Sequence, residues 1–285
     1  FHLGIMASER GNAEIARNYF MRCLHIYPQH GRAREILYGA PTILQAGRER
    51  ATAVPILFLI YNRPEVTQRV FDAIRSVRPK TLFISADGPR AGEEALCQKT
   101  RDIVNHIDWD CHVHRLYRES NSGCRQAVSS GINWFFEHVE EGIILEDDTL
   151  PHPSYFQYCE ELLAHYRDDT RIMHIAGTNK GYNADIPYSY YFSQYAPIWG
   201  WATWRRAWKL YDGEMHHWPQ IRERLHHLVS NVESCEIRRC NFDYVYEGNV
   251  DTWDYQWHLT VLMHHGLAVV PRVNMISNIG FGEIA

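Results

Sequence analysis

An unbroken apolar run from Val54 to Tyr61 (Val-Pro-Ile-Leu-Phe-Leu-Ile-Tyr) constrains this chain more than any other stretch. Such a run fits a central strand covered on both faces rather than a half-exposed one. Asn62-Arg63-Pro64 punctuates it, and Pro64 suits the first turn of a helix with an apolar stripe through Val66, Val70, Ala73, Ile74 and Val77. Thr81 to Ser85 is a second strand, ending in Ala86-Asp87-Gly88-Pro89-Arg90. The pattern then repeats. A helix carries Leu96, Ile103, Val104 and Ile107, and a strand spans Cys111 to Leu116. After a polar loop comes a helix with Val128, Ile132, Phe135, Phe136 and Val139, expected to stop at Gly142. A further strand and a helix from Ser154 to Arg167 follow. Alternation of this kind from Val54 to Gly177 predicts an α/β fold, a Rossmann-like, mostly parallel, doubly wound sheet.

The strand Gly142-Ile143-Ile144-Leu145 ends in Glu146-Asp147-Asp148 and a proline-broken turn at Thr149-Leu150-Pro151. Neighbouring carboxylates repel, so placing three at the mouth of a buried strand calls for a compensating cation. A hard divalent ion, manganese or magnesium, suits oxygen ligands and leaves positions for water or phosphate. Crevices at strand C-termini are also where open α/β sheets bind ligands. The competing reading is a solvated acidic turn.

Right-handed crossovers bring the loops after the first two strands to the same edge as this cluster. Arg63 offers a planar fork for phosphate, and Asp87 can accept hydrogen bonds from a base or ribose unless it is only a turn residue before Gly88. The loop Arg118-Glu119-Ser120-Asn121-Ser122-Gly123-Cys124-Arg125 opens a helix, and its amides and arginines would suit a diphosphate. It matches neither GxGxxG nor GxxxxGK[ST].

Composition narrows the function classes. The 285-residue chain has a formal net charge of -5 with scattered Lys and Arg, which speaks against nucleic-acid binding. Its seven cysteines are widely spaced with no CxxC pair, so neither a zinc ribbon nor a disulfide framework is expected, and a reducing cytoplasm fits, at most with a membrane-peripheral placement. No apolar stretch approaches the ~18–20 residues of a transmembrane segment. Ahead of the sheet, residues 1–45 read as a helical appendage. Gly11, Ala16, Phe20, Cys23, Leu24 and Pro28 resemble the second half of a tetratricopeptide repeat, a possible protein-binding element, while an ordinary amphipathic hairpin is the other reading.

Beyond Gly177 aromatic residues crowd the chain. Trp199 and Trp201 flank Gly200 and are candidates for stacking on an acceptor sugar, whose C–H faces are apolar. In Asp251-Thr252-Trp253-Asp254-Tyr255-Gln256-Trp257, apolar rings around Asp254 favour a general base, whereas Asp251 also reads as a helix cap. The pairs His216-His217, His226-His227 and His264-His265 point apart on any regular element and read as ordinary histidines. Leu267 to Pro271 is a last strand, followed by a glycine-ended segment, Val273 to Gly282, near the sheet edge.

In order, these motifs resemble those of GT-A fold glycosyltransferases over Val54 to Gly282: a strand ending Tyr-Asn-Arg-Pro, one ending Asp-Gly, the Glu-Asp-Asp strand end, Gly-Trp, Trp-Asp…Trp and Asn-Ile-Gly-Phe-Gly. The branch most resembled contains the N-acetylglucosaminyltransferase that starts complex N-glycan branching, with its bacterial relatives. The resemblance implies a domain at 53–285, with a nucleotide-sugar half at 53–177 and an acceptor-side half at 178–285. It implies a metal-dependent inverting transfer of N-acetylglucosamine or another hexose from a UDP-sugar to a saccharide or protein hydroxyl. Asp148 would then ligate manganese, Glu146 and Asp147 would contact ribose and sugar, and Asp87 would face uracil. Arg63 would meet the diphosphate, Asn62, Asn121 and Arg125 would line the donor site, and Asp254 would be the base. The family's Trp-Asp-Asp-Trp core is one residue longer here. The rivals are a sugar nucleotidyltransferase, which would show a glycine-rich basic loop after its first strand, and a non-catalytic repeat-based adaptor.

Overall fold

A computed structural model describes residues 52–179, 188–229 and 231–281; the tetratricopeptide-like segment lies outside them. Ten strands are present among these residues: β1 (Ile56–Ile60), β2 (Thr81–Ala86), β3 (His112–Tyr117), β4 (Glu141–Glu146), β5 (Thr149–Pro151), β6 (Ile172–Ala176), β7 (Tyr190–Ser193), β8 (Trp201–Trp204), β9 (Leu267–Pro271) and β10 (Ile276–Asn278). Eight form one sheet in the order β3-β2-β1-β4-β8-β6-β9-β7, and β10 pairs with β5 apart from it. Within the large sheet β8 and β7 run against the other strands, so the sheet is mostly parallel and the α/β expectation holds.

The expected alternation appears as α1 (Pro64–Val77), α2 (Glu94–Ile103), α3 (Cys124–His138) and α4 (Pro153–His165). Pro64 occupies the first turn of α1, where its missing N–H costs nothing. One boundary needs correcting. Helix α3 ends at His138, with Val139 already extended, and Gly142 lies inside β4, where a side chain would run into the Phe135 ring. That glycine lets the helix pack close on the sheet rather than stopping it.

Strand β1 shows why the first run had to be apolar throughout. Ile56, Phe58 and Ile60 face one layer with Val70, Phe71 and Ile74 of α1 and Tyr155, Leu162 and Leu163 of α4. Leu57 and Leu59 face the other with Val128, Ile132 and Phe135 of α3. Full burial of each such side chain contributes about 1.5–3 kcal/mol. The later chain adds short helices α5 (Arg205–Trp208) and α6 (Trp218–Ile221), a 3-10 turn, and the longer α7 (Val232–Tyr246) and α8 (Asp254–Met263). Trp253, Trp257 and Val261 of the α8 segment close the second layer, while Trp218, Leu225, Phe242 and Leu259 form a smaller satellite core.

Strand order reverses at β1, which has β2 on one side and β4 on the other. Chain ends of β1 and β4 therefore diverge there and leave a crevice.

Candidate active site

Arg63 leaves the end of β1 and reaches the acidic cluster at the end of β4. Its Nη2 donates to Asp147 Oδ1, its Nε to Asp147 Oδ2 at 3.4 Å, and its Nη1 to Asp148 Oδ2 at 3.1 Å. Arg63 thus offsets part of the charge of two of the three carboxylates that were expected to need a cation. The pairing holds the guanidinium above its ordinary range despite partial burial. Asp147 is 3 % exposed, and its desolvation pushes the carboxyl up to about 6, with Arg63 opposing the rise. Glu146 has no such partner. Burial, then repulsion from Asp148, Asp147 and Asp254, pushes it up to about 8.

Four carboxylates thus act on one another beside one guanidinium, and the excess of negative charge is what a divalent cation would balance. Among the described residues no three His, Cys, Asp or Glu side chains are arranged to hold an ion unaided. A hard cation nonetheless fits the donor chemistry, because magnesium-type sites use one or two carboxylates and complete the sphere with water and phosphate.

The second wall is the loop after β2. Asp87 Oδ1 accepts from Gly88 N at 2.9 Å and Ser122 Oγ at 2.8 Å, Ser122 N reaches both oxygens, and Asn121 Nδ2 donates to Oδ2 at 2.9 Å. Asn121 also donates to Gly88 O and accepts from Arg90 Nε at 3.3 Å. A carboxylate has about four lone-pair directions, so Asp87 is largely occupied in clasping the β2 and β3 loops together. Asn62 is likewise held, donating to Glu93 Oε1 at 3.0 Å while Tyr61 donates to Glu93 Oε2. Between these walls lies a cavity of about 200 Å³, lined among others by Tyr61, Arg63, Asp87, Asn121, Glu146 and Asp147. Drug-sized ligand pockets run to ~300–1,000 Å³, so this volume suits one portion of a nucleotide rather than a whole nucleotide-sugar.

The amides at the start of α3, which looked open to a diphosphate, are filled from within. Asp251 Oδ2 accepts from Cys124 N at 2.7 Å and its Oδ1 from Arg125 N at 3.0 Å. Asp251 is a helix cap, as one reading had it, but for a helix far earlier in the chain than the one that follows it. Arg125 turns away from this cavity toward Gly213 O and Glu214, each at 3.3 Å.

Asp254 opens α8, half-buried, accepting from Thr252 Oγ1. Its charge acts on Glu146 and Cys124, which line the cavity, and on Tyr195 and Tyr255, which line a second space. The second space, about 310 Å³, is lined by Asp254 with Tyr195, Ser234, Arg238, Asn241, Tyr255 and His258. Of the two tryptophans expected to face an acceptor, Trp199 is partly exposed with its ring 5.7 Å from Phe281. Trp201 is 1 % exposed, stacked on His174 at 5.0 Å and on Trp253 at 5.6 Å, so it supports the wall from behind and presents no face to a sugar. Gly200 parts them with a left-handed φ of 58°.

A roof completes the site. The final segment, expected near the sheet edge, instead crosses the acidic turn: β10 pairs antiparallel with β5, and Ile279 N donates to Asp148 O at 2.8 Å. Gly280 touches both partners of the ion pair; a Cβ there would press on Asp148 Oδ2 and lie 2.8 Å from Arg63 Nη1.

No protein-family model and no curated protein matches the sequence. Among solved structures, a UDP-glucose pyrophosphorylase complexed with UDP-glucose is similar at TM-score 0.33 and 10% identity, over 56% of this chain and 79% of that one. The mannosyltransferase PcManGT from Pyrobaculum calidifontis, in complex with GDP-Man and Mn2+, is similar at TM-score 0.36 and 12% identity, over 72% of this chain and 56% of that one. Neither likeness assigns a role to a residue of this chain. No helix of the described residues is long and apolar enough to cross a membrane.

Proposed function

We propose that this chain is a metal-dependent glycosyltransferase that moves a hexose from a UDP-sugar to a saccharide or protein hydroxyl with inversion. The observation that supports this best is the convergence, at the switch point between β1 and β4, of Arg63, Glu146, Asp147 and Asp87 around one cavity, with Asp148 paired to Arg63 and the charge of Asp254 acting on Glu146. Asp147 and Asp148 fix the Arg63 guanidinium beside the place where a diphosphate leaving group would gain charge. Asn121 and the loop clasped by Asp87 give a preformed wall for the nucleoside. Asp254, which lines the second space and whose charge reaches Glu146, accepts the proton of the acceptor hydroxyl as that oxygen attacks the anomeric carbon and the sugar–phosphate bond breaks. Attack from the side opposite the leaving group inverts the centre, as in inverting glycosidases. A divalent ion held through Asp148, beside Glu146 and Asp147, would supply electrophilic stabilisation of the diphosphate.

Calorimetric titration of UDP with manganese and with EDTA, on the parent and on Asp148→Ala, tests the reading. Manganese-dependent binding that disappears in the variant is expected. No UDP binding under any condition would overturn the donor assignment.

A further inference from the structure

The space lined by Asp254 contains a cation that nothing among the described residues neutralises. Other partly buried arginines have partners: Arg63 pairs with Asp147 and Asp148 and Arg205 with Glu140, while Arg118 donates to the Ser85 and Ser130 hydroxyls and Arg206 to the backbone carbonyls of Tyr166, Arg167 and Asp169. Arg238 differs. Among the described residues it forms neither an ion pair nor a hydrogen bond; its guanidinium faces only the Tyr195 ring, 5.8 Å from the centroid, and no carboxylate acts on it. Partial burial disfavours its charge. A desolvated guanidinium without a counter-ion is costly, and a fork of this shape matches carboxylate and phosphate oxygens bidentately.

Its surroundings suit a sugar. Tyr195 and Tyr255 supply ring faces, and the Ser234 hydroxyl and Asn241 amide line the same space without a side-chain bond to the described protein. Asp254 stands at its edge. A ring laid on an aromatic wall, an anion on the guanidinium and a hydroxyl turned to a carboxylate together describe one ligand class.

We propose that this space is the acceptor subsite and that it selects an anionic saccharide, one whose carboxylate or phosphate pairs with Arg238 while a hydroxyl faces Asp254. The proposal rests on the transferase reading for the word acceptor, but the binding selectivity can be measured without it. Glucuronic acid, glucose 6-phosphate and glucose would be titrated by NMR into the parent, Arg238→Gln and Arg238→Lys, with near-UV circular dichroism confirming the fold of each. UDP with manganese would be titrated into the same preparations. At least one anionic sugar should bind about tenfold more tightly than glucose; the preference should vanish in Arg238→Gln and survive in part in Arg238→Lys. Which anion shows it separates a uronic acid from a sugar phosphate. Equal binding of charged and neutral sugars, binding of none of them, or a preference unchanged in Arg238→Gln would overturn the proposal. Loss of UDP binding with the anion preference intact would overturn the transferase reading alone.

Discussion

Single side chains carry the charge logic of the site, and two groups, one in the site and one in the core behind it, make opposite demands on pH. Asp147 is buried against Arg63, so Arg63→Met would leave a desolvated carboxylate without its partner. With the Arg63 side chain 37% exposed, solvent screening reduces the cost from that of a fully buried pair to about 2 kcal/mol. Urea denaturation at neutral pH measures it, and Asp147→Asn in the same background should restore most of the loss. Glu146 is raised to about 8, so the folded state holds its proton more tightly than the unfolded chain does. Its contribution to stability therefore falls as pH rises from about 4.5 to 8. His174 works the other way. It is fully buried, accepts from Trp257 Nε1 on Nδ1 at 3.2 Å, donates from Nε2 to Pro197 O at 2.9 Å, and is lowered to about 3 by burial. An unfolded histidine takes up a proton below pH 6.5 while the folded one does not, so this term removes stability as pH falls. Between pH 7 and 5 it should cost about 2 kcal/mol. Stability profiles of the parent and His174→Gln, compared over that interval, should differ in slope by this amount, and parallel profiles would refute the assignment.

At the level of elements, two long-range clasps hold the site together. Asp251 caps α3 from a distant loop, and Asp251→Ala should lower stability by about 1 kcal/mol and raise hydrogen exchange first at the Cys124 and Arg125 amides. Strand β10 is seated by Ile276 against Gly177 and Gly200, where a Cβ on either would come within 2.5 Å of it. Gly280→Ala should weaken manganese-dependent UDP binding at least tenfold, since the methyl group displaces Asp148 and Arg63 together. These clasps also mark where the sequence stops being readable. The helices through α4 announce themselves by apolar spacing, and Arg63 and the acidic cluster by their position at strand ends. Strands as short as β8 and β10 contain too few residues to show a period. The partnership of Asp251 with α3 joins residues more than a hundred positions apart, which no local pattern encodes. Trp201 looked like a surface platform because aromatic density is the same whether rings face a ligand or one another. Arg238 gave no signal at all; its interest lies in the missing partner, which only the folded chain displays.

Across the molecule, the cavity beside Arg63 draws its walls from the first half of the chain, while the strand that covers the acidic turn and the proposed base come from the second. A ligand bridging them should stabilise the whole. With UDP and manganese at one hundred times the dissociation constant, unfolding should become harder by about 2.7 kcal/mol, and with EDTA the gain should vanish. Thermal unfolding with and without each component decides this. The path of β10 has a further consequence for synthesis. A ribosome delivers Arg63 and Asp147 early, so strands β1 to β4 and the charge pair at their ends are made long before the strand that covers Asp148. The opening over the acidic turn closes only when one of the last described stretches of chain returns to lie on one made far earlier, so a stalled or clipped product would keep the scaffold yet lack its cover.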